Sequence, residues 1–171
     1  MINIQNAPPP GDYLSSVLKT IASDPSKERE LLLRLPAAKV TTIIAPRASR
    51  DPESSEEIRS IFLGILHEPV KGDPESTLDF YPFYSSAPLA RRCLKDLGVS
   101  LEKAELWTTT AREFFALIQP FPRIARLNAG SAHSFDISVE RGRALAELCP
   151  TMRYPPSSPV EISPKGPGET D

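Results

Sequence analysis

Nineteen prolines run through this chain of 171 residues. Proline fixes φ, has no N–H to donate, ends helices and is kept out of central strands. The length available for regular elements is therefore cut into short pieces. Hydrophobic residues still make up 40% of the sequence, enough for a core. The length fits one domain with tails. The expected organisation is a Pro-rich tail over 1–11, a single compact α+β domain over 12–150, and a Pro/Ser-rich disordered tail over 151–171.

Between the prolines, local patterns set the expected elements. Asp12 is placed to cap a helix in which Leu14, Val17, Leu18 and Ile21 share a face. Asp24 followed by Pro25 reads as the start of a second helix, N-cap and then N1 proline, ending before Pro36. AKVTTIIAP is β-branched and proline-bounded, the pattern of a strand. Ser54 and Glu57 have capping-box spacing, and Ile58, Ile61, Phe62, Ile65 and Leu66 follow at helical period, which gives a strand–helix unit.

HEPVKGDPEST then reads as turns, and LDFYPFY as an edge or irregular strand because of Pro82. Alternation along LDFYPFY would expose part of its aromatic surface as a contact area. Ser86 and Pro88 begin a helix that buries Leu89, Cys93, Leu94 and Leu97 and ends at Gly98. VSLEKAELWTTT fits helix and strand equally. Thr110 and Glu113 form a second capping box before FFALI. An antiparallel hairpin closes the domain: a strand over 121–127, a turn at NAGS, and AHSFDISVE with Phe135, Ile137 and Val139 on one face. GRALAELC reads as a last short helix before Pro150.

The net charge of −2 and pI near 5.8 argue against a chain whose main task is to coat nucleic acid or an anionic membrane. The N-terminus MINIQNAPPPGDY has neither the charged nor the apolar region of a secretory signal, and no apolar run is long enough to span a bilayer. Two cysteines, Cys93 and Cys149, cannot build a disulfide framework or a four-cysteine zinc site. Kept as thiols they suit a reducing compartment, so a cytoplasmic protein is expected.

No G-x-S-x-G, H-E-x-x-H, phosphate-loop or dinucleotide pattern occurs, and no cofactor is implied. His67 and His133 lack the close spacing to each other or to a cysteine that marks a zinc site. A Cys93–His133–Asp136 arrangement fails on geometry, since His133 and Asp136 would sit on opposite faces of one strand. A small enzyme without a recognisable motif would have to gather His67, His133 or several carboxylates in a pocket.

Two surface features remain. Arg123, Arg126, Arg141 and Arg143 cluster on and after the hairpin as a candidate phosphate-facing rim, a nucleic-acid-binding reading. The plainer reading is an edge kept soluble and unable to aggregate. Arg153-x-x-Pro156-x-x-Pro159 has the three-residue repeat of a polyproline II ligand, so Pro156 and Pro159 share an edge and Arg153 lies a turn away. The plainer reading there is a solvated tail. The leading expectation is a non-enzymatic interaction or assembly protein, of the viral structural or accessory kind, acting on a protein partner or on itself through its surface and tails.

Overall fold

The computed structural model describes residues 10–21, 23–45, 61–102, 104–149 and 159–162, without the side chains of 10–13 and 74. The paired segments form one mixed seven-stranded sheet, and five α-helices accompany it among the described residues, an α+β domain. The elements in chain order are α1 (Pro10–Ile21), α2 (Lys27–Arg34), β1 (Lys39–Ile44), β2 (Gly64–Val70), β3 (Asp73–Tyr84), α3 (Ala87–Asp96), β4 (Glu105–Thr110), α4 (Ala111–Ile118), β5 (Ile124–Leu127), β6 (Phe135–Ile137), α5 (Val139–Ala146) and β7 (Val160–Glu161). The strand order is β4-β1-β3-β2-β7, with β5 alongside β3 and β6 alongside β5.

The helices follow their amphipathic patterns. Leu14, Val17 and Leu18 of α1 are buried. α1 starts at Pro10, three residues ahead of the expected Tyr13, so Asp12 lies inside the helix and is not its cap. Asp24 does not cap α2. Its carboxylate instead accepts from the Ser26 N–H (3.2 Å) and hydroxyl (2.6 Å), and Ser26 holds the N-cap position. Ser86 caps α3 as expected, its hydroxyl accepting from the Leu89 N–H. Gly98 follows α3 with φ 78°, where a Cβ would be strained. Thr110 caps α4, its hydroxyl accepting from the Glu113 N–H, and the Glu113 carboxylate accepts from the Thr109 hydroxyl at 2.5 Å. α4 is buried almost all round, which fits its uninterrupted apolar run FFALI.

The central strand is the main departure from expectation. β3 is no edge: β2 pairs it from Asp73 to Phe80, β1 pairs its last two residues, and β5 runs parallel to Phe80–Phe83. Pro82 is tolerated because the β1 ladder stops at Thr42↔Phe83 and so never calls on its missing N–H. The Pro82 carbonyl is instead taken by the Thr42 hydroxyl at 2.6 Å. Both faces of β3 are covered, so Phe80, Tyr81, Phe83 and Tyr84 are all buried and the expected aromatic contact surface is absent there.

The expected helix over 58–66 is overturned at its second half, where Gly64, Ile65 and Leu66 begin β2. Residues 46–60, including the Ser54–Glu57 box, lie outside the described residues. β2 is buried on both faces at its start, so its apolar residues run on without alternating, and such a run mimics a helical spacing. HEPVKGDPEST is likewise a hairpin, with Val70 opposite Asp73 across the Lys71–Gly72 turn. The C-terminal hairpin stands: Ala125, Arg126 and Leu127 oppose Ile137, Asp136 and Phe135. Val139 is not its last inward residue but the first of α5, capped by Ser138.

Side chains divide between two cores. One face of the sheet packs under α1, α2, α4 and α5, around Tyr81, Phe83, Phe114 and Phe115. The other packs under α3, around Ile43, Leu66, Phe80, Tyr84 and Cys93. Phe114 and Phe115 belong to the first core, and Trp107 packs against it.

Candidate functional site

Residues 159–162 fall in the stretch expected to be a structureless tail, yet they dock on the sheet. β7 lies parallel to β2, with Gly64 opposite Val160 and Ile65 opposite Glu161. The Val160 N–H donates to the Leu63 carbonyl at 2.8 Å, and the Ile162 N–H to the Ile65 carbonyl at 3.0 Å. Without β7, β2 would be an open edge with unmet backbone donors and acceptors.

Three side-chain features hold the segment there. Ile162 is 4% exposed and belongs to the core beneath α3. Gly64 makes room for it: a Cβ at that position would come within 2.8 Å of Ile43 and 2.9 Å of Ile162. The Glu161 carboxylate lies against Nε2 of His67 on β2, an ion-pair contact at a nitrogen with no hydrogen-bond partner among the described residues, while Nδ1 of His67 meets Asp79 on β3. One imidazole thus bridges three adjacent strands. Its two carboxylates sit on opposite ring nitrogens and do not converge on a common point, and among the described residues no group of His, Cys, Asp and Glu is arranged to hold a metal ion.

The arginines are engaged with acids. Arg126 Nη1 donates to Glu68 at 2.6 Å and its Nε to Asp136 at 2.7 Å, with the guanidinium 4.5 Å above the Phe80 ring. Those two carboxylates, Glu68 first, push the guanidinium's pKa further up, so it stays charged. Arg141 bonds Glu28 at 2.5 Å, tying α5 to α2. Arg123, just before β5, reaches Asp79 at 3.9 Å. Arg143 lies exposed in the last turn of α5. Each of the first three therefore has a carboxylate beside it, and their charge is met locally. Asp136 is committed to Arg126 and Cys93 is buried under α3, so no Cys93–His133–Asp136 constellation forms. Burial raises the pKa of the Cys93 thiol, away from thiolate reactivity.

Both histidines border clefts, but different ones. His67 adjoins a cavity of about 220 Å³ between Leu66, Phe80, Val99 and Arg126. His133 borders a cavity of about 550 Å³ between α1, α3 and the β5–β6 loop. Of the expected peptide ligand, Arg153 and Pro156 lie outside the described residues, and Pro159 is half-buried directly before β7. The sequence signal missed was VEI: a β-branched pair flanking an acid, hidden in a tail dominated by Pro, Ser and Gly.

Among the described residues no helix is long and apolar enough to cross a membrane. No protein-family model matches the chain, and no curated protein or solved structure matches it.

Proposed function

We propose that this chain is a non-enzymatic interaction protein that joins its partner, or a second copy of itself, by strand addition at the β2 edge. The observation that carries this is the docking of β7 itself. An extended segment is taken up by backbone bonds, one apolar anchor beside a glycine, and one carboxylate on His67. Those are the parts that strand addition uses: main-chain bonds for affinity and alternate side chains for selectivity. The chain's own C-terminal segment then acts as the resident occupant, which a partner segment of the same pattern replaces. Such a module suits an assembly role, including that of a viral structural or accessory protein. Its two cysteines, free of a disulfide, suit a reducing compartment.

The test compares the full chain with Ile162→Asp by light scattering over a range of concentrations and by pull-down. Ejecting the resident segment opens the edge but leaves the variant's own tail without its anchor, so the variant loses tail-dependent self-association and gains capture of an added peptide spanning residues 157–166 with Ile162 intact. Strict monomers in both, with identical capture, would count against the reading.

A further inference from the structure

We infer that the cleft between α1, α3 and the β5–β6 loop is a binding site for a small phosphate-bearing anion. The chain carries 22 acidic residues against 20 Lys and Arg. A patch taken at random from such a surface would mix both signs. This cleft does not: Lys19, Arg92 and His133 line it from three different elements, and among the described residues no carboxylate does. Ser16 on α1 and Ser86 at the N-cap of α3 also line it, while the Ser131 hydroxyl donates to the His133 carbonyl at 2.9 Å. Two cations from different helices, with hydroxyl and imidazole groups beside them, are what an oxyanion with several acceptor oxygens needs. The cavity, about 550 Å³, has the size of a small-molecule site.

Its floor is built, not incidental. Asn128 is 2% exposed and sits at φ 55°, the left-handed region that few non-glycine residues occupy. Its N–H donates to the Phe83 carbonyl at 2.7 Å. Its side-chain Oδ1 accepts from the Ser85 N–H at 2.9 Å, and its Nδ2 donates to Ser15 Oγ at 3.2 Å. One residue thereby fixes α1, the end of β3 and the loop relative to one another. That fixes the elements that carry Lys19, Arg92 and His133 around a rigid base, as a preorganised site requires.

The experiment is calorimetric titration of the full-length chain at low salt with two probes, inorganic phosphate and ribose 5-phosphate. Saturable binding that weakens with added salt is expected. Arg92→Ala and Lys19→Ala should each reduce affinity roughly tenfold or more, the effect of removing one charge-assisted bond. Lys95→Ala, on the same helix but outside the cleft, should leave affinity unchanged. All three positions are exposed, and thermal melts confirm that the variants fold. Preference for the ester assigns the site to a phosphomonoester, and equal affinity assigns it to free phosphate. Absence of saturable binding to either probe at millimolar concentration overturns the proposal. So does a loss in Lys95→Ala equal to that in the cleft variants.

Discussion

The sheet face under α1, α2, α4 and α5 packs aromatic rings directly on one another. Phe114 stacks on Phe83 at 5.0 Å, and Phe115 meets both rings edge-on at 5.1 and 5.6 Å. The face under α3 has a single helix, takes in the C-terminal segment through Ile162, and borders both clefts described above. It also contains a buried Tyr84 hydroxyl with no hydrogen-bond partner among the described residues. The first face is close-packed and self-contained. The second carries the features that admit something else: a glycine gap, a docked strand and polar cavities. Division of this kind places stability on one side of a sheet and exchangeable contacts on the other.

The largest effect that would break this comparison is on the ringed face. Phe114→Ala should cost about 3–5 kcal/mol, because a wholly buried ring leaves a cavity that its neighbours cannot fill. Chemical denaturation measures it, and a loss under about 1 kcal/mol would show that the ring stack is not the stabilising centre. Ile162→Ala is expected to cost less, about 1–2 kcal/mol, since a two-residue strand can open locally while the rest stays folded. Hydrogen exchange should then show faster exchange confined to Val160 and Ile162, with the β3 amides unchanged.

Tyr84→Phe sharpens the comparison in the other direction. Removing a buried hydroxyl that has no partner among the described residues should leave stability unchanged or raise it by up to about 1 kcal/mol. Burial also raises the pKa of that phenol, so it remains protonated throughout the ordinary pH range. A clear loss of melting temperature would reveal a bond to the hydroxyl.

The smallest effect lies on neither face. Asp24 and Asp73 both have their pKa lowered from 3.8, chiefly by the hydroxyls of Ser26 and Ser76. Their folded values lie below the unfolded ones, so the stabilisation is fully present above about pH 4 and disappears as pH falls through the lowered values. Both groups are fully exposed, so the shift of the acid transition on Asp73→Asn should be slight.

Much of the ringed face was legible in the sequence, and less of the other. Leu14, Val17 and Leu18, the Thr110 cap, and the alternation over Phe135 and Ile137 are local signals there, as the Ser86 cap of α3 is on the other face, and each sets its own element. β2 and β3 are different. Their burial on both faces removes the period-two signal, and the hairpin at Lys71–Gly72 is set between Pro69 and Pro74, residues that locally argue for turns. The docking of Ile162 depends on a gap at Gly64, nearly a hundred residues away in the chain, and no local pattern records it. The cationic cleft joins Lys19, Arg92 and His133 only through the tertiary fold. The arginine rim drew notice because its residues are close in sequence, yet the carboxylates beside them come from β2, β3, β6 and α2.

Strand addition at β2 is tested most directly in trans. A fluorescent peptide spanning residues 157–166 is titrated, by anisotropy, into a chain shortened to residue 158. Saturable binding is predicted, weakened about tenfold or more when Gly64→Val fills the gap in the protein or Ile162→Asp removes the anchor from the peptide. Absence of saturable binding, or equal binding in all three pairings, would contradict the account.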